Sequence, residues 1–305
     1  MTQRILNITG SRAVPDYDIE EIEAPVQSFF DQHADHYEQS WDLREHGLSI
    51  GIFDGYASAE AQGDQDLEAG YQRSREHVVE LLQRICPLGA DARVLDICCG
   101  TGATLSQIAD SYDCDGVGID ISGAQLKHAT RLRNQHGSGK RGRVMFRQGS
   151  ASLIGTVAGD MAPFTHVFSQ EGLLFAHDKP GAMRGFFDLL LPGGALVISD
   201  FVPQMSKQEI DASLRARVYE DVKWTAGLTF QQYLALIKET GFELVQAELR
   251  PVDMRMTYQE LIPRTHAMAA DGDEAYTFLA KRYAGIVRAV DDGALTWAWF
   301  AARKR

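Results

Sequence analysis

The 305-residue chain lacks several features that would each have fixed a class. It has four cysteines (Cys86, Cys98, Cys99, Cys114), none in a CxxC spacing and two of them adjacent. That argues against a disulfide framework or a zinc site and favours reduced, small hydrophobic side chains. No unbroken apolar run is long enough to cross a bilayer, and no basic, apolar leader opens the chain. The expectation is a cytoplasmic protein without a membrane partner. Internal repeats and low-complexity tracts are missing as well. Basic residues are in deficit: 30 Lys and Arg against 42 Asp and Glu leave a formal net charge of -12. A nucleic-acid partner would want the opposite sign. The excess is local, because residues 1–70 hold fifteen Asp/Glu and three Arg while the remainder balances. An acidic face there suits solvent or a homo-oligomer contact through the N-terminal segment.

What is present is an ordinary globular composition, 45% hydrophobic and 24% charged, in a chain able to bury a sizeable core. Short apolar runs alternate with amphipathic ones, which predicts an α/β fold, a mostly parallel sheet with helices on both faces. The expected strands are Arg93–Asp96, Gly116–Asp120, Val144–Gln148, His166–Ser169, Ala195–Asp200, Phe242–Pro251 and Leu295–Ala302. Helices are expected over 68–85, 104–111, 122–136 with Ser122 as cap, and 180–191 behind Asp178. Capping boxes at Ser206-Lys-Gln-Glu209 and Thr229-Phe-Gln-Gln232 predict two more helices, the first running towards Trp224 and the second stopping at Gly241. Residues 1–67 read as a helical N-terminal cap, 68–305 as the core, with an insertion at about 253–288.

The chemistry begins at Asp96-Ile-Cys-Cys-Gly100-Thr-Gly102. Two glycines directly after a strand permit a tight turn and leave helix-start N–H groups free to meet a ligand. A dinucleotide fingerprint would continue with a third glycine, where this chain has Leu105. Asp96 would repel a pyrophosphate but could accept from an ammonium group. Asp120, at the end of the next strand, stands where a carboxylate can hold both ribose hydroxyls. A cationic, non-phosphorylated nucleoside fits this set.

The succession Val94-Leu-Asp-Ile-Cys-Cys-Gly-Thr-Gly102, Val117-Gly-Ile-Asp-Ile-Ser122 and Leu190-Leu-Pro-Gly-Gly-Ala-Leu-Val-Ile-Ser-Asp200 resembles the ordered motifs of the class I S-adenosylmethionine-dependent methyltransferases over about residues 68–200. The resemblance implies a Rossmann-like fold with a seven-stranded sheet and S-adenosyl-L-methionine as cofactor. It implies that Asp96, Gly100 and Gly102 line the methionine and ribose side and that Asp120 and Ile121 meet the nucleoside. Ser150 and Ala151 would flank the adenine, with Ser169 and Gln170 completing the set. Ser150 stands where the family commonly carries Asp. Phe168-Ser-Gln-Glu171 and the ending Leu295-Thr-Trp-Ala-Trp-Phe-Ala-Ala-Arg-Lys304 are similar to sarcosine/dimethylglycine N-methyltransferases and to small-molecule C- and O-methyltransferases, including those acting on isoprenoid chains.

In a parallel sheet the acceptor belongs past the carboxyl end of the fourth strand. Glu171 is the expected general base there, with an amine anchor or a helix-start carboxylate as the other roles; His177 could assist. Trp41, Phe53, Tyr56, Phe201, Tyr219 and Trp224 are expected to wall the substrate pocket. Arg215, Arg217, Arg264 and His266 could meet an anionic substrate group. His33 and His36 have helical metal spacing without a third ligand, so no metal is expected. The expected activity is methylation of a small, specialised metabolite, foremost an alkene carbon of an isoprenoid-like acceptor; N-methylation of a small amine and a cofactor-binding cyclase or scaffold are the alternatives.

Overall fold

The computed structural model describes residues 18–40, 49–53, 67–135, 142–206, 208–220, 224, 227–269 and 272–305. Trp41, Tyr56 and the Arg217 side chain lie outside the described residues. Two helices open the described chain, α1 (Ile19–Ser40) and α2 (Leu67–Ile85). The alternating part follows: β1 (Arg93–Ile97), α3 (Ala103–Tyr112), β2 (Asp115–Asp120), α4 (Gly123–Gln135), β3 (Val144–Gln148), the short α5 (Ile154–Val157), β4 (Phe164–Gln170), α6 (Lys179–Leu189) and β5 (Leu190–Pro203). A one-turn α7 (Ala212–Arg215), then α8 (Phe230–Thr240), β6 (Phe242–Leu249), α9 (Pro251–Ala269), α10 (Glu274–Asp291) and β7 (Leu295–Lys304) complete it. The sheet order is β3-β2-β1-β4-β5-β7-β6. The first five strands run parallel, and β7 lies antiparallel between β5 and β6. The strand order reverses between β1 and β4, which opens a crevice outside their carboxyl ends. No helix among the described residues is long and apolar enough to cross a membrane.

Strand alternation divides the interior into two cores. On β7, Leu295, Trp297, Trp299 and Ala301 join the core under α2, α9 and α10. Ala298, Phe300 and Ala302 point to the opposite face, among Phe186, Tyr233 and Ile237. Two fully buried tryptophans on one strand make the α9/α10 side the heavier of the two.

The expected strands all form, β5 growing at both ends to Leu190–Pro203 and β6 stopping at Leu249, short of the expected Pro251, which opens α9; Asp178 caps α6 by accepting from Gly181 N at 2.8 Å. Ser122 Oγ likewise accepts from Gln125 N at 3.1 Å, and Thr229 and Gln232 close a full capping box whose helix stops at Gly241 (φ 107°). Two expectations are corrected. Pro192-Gly193-Gly194, expected as a turn between the helix over 180–191 and the strand Ala195–Asp200, lies inside β5, where Gly193 takes φ +81° and the pairing with β4 jumps from Phe164↔Leu190 to His166↔Ala195. No helix opens at Ser206: Glu209 accepts from Ser206 N, but the helix cap is Asp211, bonded to Leu214 N at 3.0 Å, and the helix lasts one turn before a wider π turn over 216–220. The segment read as an insertion is the α9/α10 hairpin, packed across β7 and reaching α1.

Candidate active site

The crevice is a cleft of about 1070 Å³ of empty space, partly open to solvent. Its floor is the turn after β1. Cys98 (φ +59°), Gly100 (φ +52°) and Gly102 (φ +68°) are all left-handed within five residues. At Gly102 the need for glycine is also steric, because an added Cβ would stand 2.5 Å from the Phe146 ring. The folded turn aims the start of α3 at the cleft, which Ala103 and Thr104 border.

Asp120 ties this turn to the end of β2. One carboxylate oxygen accepts from Gly100 N at 2.9 Å and the other from Ser122 N at 2.8 Å. Burial pushes its pKa up to about 6, against the pull of those two N–H groups. Asp96, 3% exposed and also on the wall, is held well above the usual carboxylate range by burial first and the neighbouring Asp120 second. Two buried carboxylates side by side favour a cationic ligand over an anionic one. Gln125, only 2% exposed, borders the same space and its side-chain nitrogen has no partner. An orphaned buried donor beside carboxylates is what a nucleoside with ribose hydroxyls would satisfy, so these residues fit the expected cofactor. Burial raises both the Cys98 and Cys99 thiols, and the surrounding carboxylates add to it, which leaves neither poised as a nucleophile.

At the end of β4, Gln170 accepts from Thr104 Oγ1 at 2.7 Å and donates to Ser49 Oγ at 3.1 Å. Glu171 follows in a left-handed conformation (φ +48°) that turns its side chain into the cleft. Its carboxylate accepts from Ser199 Oγ at 2.5 Å, Trp297 Nε1 at 2.8 Å and Ile50 N at 3.3 Å. Burial raises its pKa to about 7, and the Ser199 and Trp297 donors hold it from going higher. The group is thus anchored by β5, β7 and the 49–53 segment, and its proton is exchangeable near neutrality.

The remaining expected residues separate by position. Asp96, Gly100, Asp120, Ile121, Gln170, Glu171 and Phe201 border the cleft. Gly102 shapes the turn from behind. Ser169 is buried and donates to Ile97 O at 2.8 Å. Ser150 is engaged elsewhere: its hydroxyl donates to Glu23 of α1, as does that of Ser152 at 2.6 Å. Ala151 is packed in the α6-side core. The His177 backbone N donates to the same Glu23 at 2.7 Å, so this carboxylate latches α1 over the cleft, and the His177 ring does not border it. Phe53 is wedged between Gly51 and Gly70. Tyr219 and Trp224 stack at 4.3 Å and brace Phe201 from behind. Arg215 pairs with Glu220, and His36 meets Asp273 at 3.2 Å while His33 bonds Phe29 O.

Sequence reasoning missed the outer wall: Val26, Phe30 and Tyr37 of α1, Ile50, Tyr258 of α9 and Arg282 of α10. Only α1 carried a readable signal, since positions 26, 30 and 37 share one helical face.

A doubly wound sheet with a glycine turn and paired carboxylates at its switch point defines the Rossmann-like class I methyltransferase fold. The model of the methyltransferase-domain family matches residues 88–278, and the chain belongs to that family, with S-adenosylmethionine as its cofactor. Phosphoethanolamine N-methyltransferase 1 of Triticum aestivum is 27% identical over 77% of this chain and 45% of its own. The chain thus spans less than half the length of that relative. Among solved structures, the cyclopropane synthase MmaA2 of Mycobacterium tuberculosis superposes with a TM-score of 0.73 at 18% identity, covering 92% of this chain and 98% of its own. The geranyl diphosphate C-methyltransferase of Streptomyces coelicolor A3(2) gives 0.66 at 14% identity, covering 97% and 100%. At these identities the two structures speak to the fold alone.

Proposed function

We propose that the protein methylates a small molecule, and that its acceptor atom is an alkene carbon of an isoprenoid-like compound. When bound, S-adenosylmethionine supplies a methyl group made electrophilic by its sulfonium. Asp96, Gly100, Asp120, Ile121 and Gln125 are assigned to hold it, the two carboxylates facing its cationic and ribose parts. Gln170 fixes Thr104 and Ser49 against each other at the junction of the two halves of the cleft. Phe30, Leu174, Phe175 and Phe201 exclude water, and the three phenylalanine rings offer aromatic faces to positive charge developing on the acceptor.

The observation that carries the reading is Glu171: a buried carboxylate that borders the cleft, with three donors and a pKa raised to about 7. Transfer of the cofactor's methyl to an alkene, with S-adenosylhomocysteine as the leaving group, would leave a carbocation on the acceptor. The adjacent C–H then breaks, its electron pair forms the new double bond, and the Glu171 carboxylate takes the proton. An amine acceptor already unprotonated needs alignment and no such base.

Methylation of nitrogen is the second reading, favoured by the 27% identity to a phosphoethanolamine N-methyltransferase. The deciding experiment incubates the enzyme with methyl-labelled cofactor and a panel of isoprenoid alkenes and small amines, then locates the label by NMR. Label on carbon, lost in Glu171→Gln, is expected. Label on nitrogen in both proteins refutes the first reading.

A further inference from the structure

Among the described residues bordering the cleft, the charged side chains are Asp96, Asp120 and Glu171 on the strand ends and Arg282 on α10. Arg282 is 7% exposed, and its Nη1 donates to the Tyr37 hydroxyl at 3.4 Å. Tyr37 is 3% exposed, so three helices bring one buried cation and two phenols, Tyr37 and Tyr258, to the helical wall of the cleft. Tyr258 is close enough to feel both Arg282 and Glu171, and it stands edge-on to Phe201 at 6.2 Å. A guanidinium stays charged at any working pH and presents a fork of donors matched to two oxygens of one oxyanion. Because the Tyr37 oxygen accepts from Arg282, its own proton is directed to another acceptor. The neighbouring wall of Ile50, Leu174, Phe30 and Phe175 is apolar.

We infer that the acceptor is an amphiphile whose oxyanion head, a phosphate or carboxylate, is seated by Arg282 and the Tyr37 hydroxyl, with its apolar body lying towards Glu171. The inference rests on the methyl-transfer reading of the same cleft and makes Arg282 the residue that selects acceptors by charge. It moves the anion site away from Arg215, which is paired on the surface with Glu220, to a side chain inside the cleft.

The test uses four probes with one tail, octyl phosphate, octanoate, octylamine and octanol, titrated calorimetrically into the 305-residue protein with and without saturating S-adenosylhomocysteine. Octyl phosphate or octanoate is expected to bind at least tenfold tighter than octanol, and the better of the two identifies the head group. Arg282→Met is expected to erase that preference, Arg282→Lys to keep part of it, and Tyr37→Phe to weaken it a few-fold, while octanol binding stays unchanged. Equal binding of the anionic and neutral probes, a preference for octylamine, or an intact preference in Arg282→Met overturns the inference. If Arg282→Met does not fold, the wild-type ranking and the Arg282→Lys and Tyr37→Phe proteins decide. Failure of S-adenosylhomocysteine to bind would instead strike the functional reading, since the probe titrations are also run without it.

Discussion

Replacing Glu171 by Gln separates chemistry from architecture, because the amide can keep most of the carboxylate's contacts. Its oxygen can accept from Ser199 Oγ and Trp297 Nε1, which both point at one carboxylate oxygen. Its NH2 group would then face Ile50 N at the longest of the three contacts, 3.3 Å, so only that bond is lost. The charge is the larger difference. A rise from 4.5 to about 7 sets roughly 3 kcal/mol against the ionised form in the folded protein. The group's contribution is therefore fully present below pH 4.5, falls as pH rises towards 7, and is gone above it, because the folded state binds the proton that the unfolded state releases. Gln has no such dependence. Urea unfolding without cofactor is expected to show the two proteins nearly matched at pH 5 and the Gln protein more stable at pH 8, by up to about 3 kcal/mol. Turnover is expected to fall by about 10²–10⁴-fold above pH 7, where the wild-type base is ionised, and by less at lower pH. In the wild type kcat/KM is expected to rise with pH through an apparent pKa near 7. A Gln protein that keeps most of its turnover refutes Glu171 as base; one that gains no relative stability between pH 5 and pH 8 refutes the account of its burial.

Trp297→Phe removes a donor from the carboxylate form of Glu171, so the rise of kcat/KM is expected to move to higher pH by about one unit or less; an unmoved profile shows that the indole does not tune the base. Gly102→Ala forces φ +68° on a residue with a Cβ and drives that Cβ into Phe146, and is expected to cost about 2 kcal/mol or more and to weaken S-adenosylhomocysteine binding at least tenfold by calorimetry. Glu23→Ala strands the Ser150 and Ser152 hydroxyls and the His177 N–H, at about 1–3 kcal/mol for a buried group left unmet. Amide exchange in α1 is expected to accelerate while that in β1 and β4 does not.

The parallel half of the fold was legible because its strands are short apolar runs closed by turn residues at both ends, and β3 was read to the residue. Asp96, Asp120 and Glu171 were legible for the same reason: a strand end marks where a side chain can face the crevice. The cap and the 253–288 segment carried no such marker. Helices α9 and α10 bury residues all along their length, and nothing in their spacing shows which of them, Tyr258 and Arg282, turn to a cavity made by packing against α1 and the sheet. Aromatic content misled where area mattered more than position. Phe53, Tyr219 and Trp224 sit behind the wall because large rings contribute most to stability when fully enclosed. Ser206-Lys-Gln-Glu209 misled because Asp211, five residues on, competes for the cap.

The buried carboxylates of the cleft are not there for folding. Asp96, Asp120 and Glu171 are each held above their ordinary pKa chiefly by burial, and Asp120 raises Asp96 further, so each disfavours the folded state once it ionises. The two cores offset that cost: β7 alone buries Trp297, Trp299 and Phe300 with no more than 1% exposure each. Trp297 belongs to both accounts, since its ring packs the α9/α10 core while its N–H steadies Glu171. The same strand that repays the stability spent in the cleft therefore sets the geometry of the proposed base, and the α9/α10 hairpin resting on it carries Tyr258 and Arg282 to the outer wall. If Arg282 selects the acceptor as proposed, acceptor choice and stability are coupled through one piece of packing, and changes to the acceptor are expected to come from the hairpin's cavity face, leaving its β7 face intact.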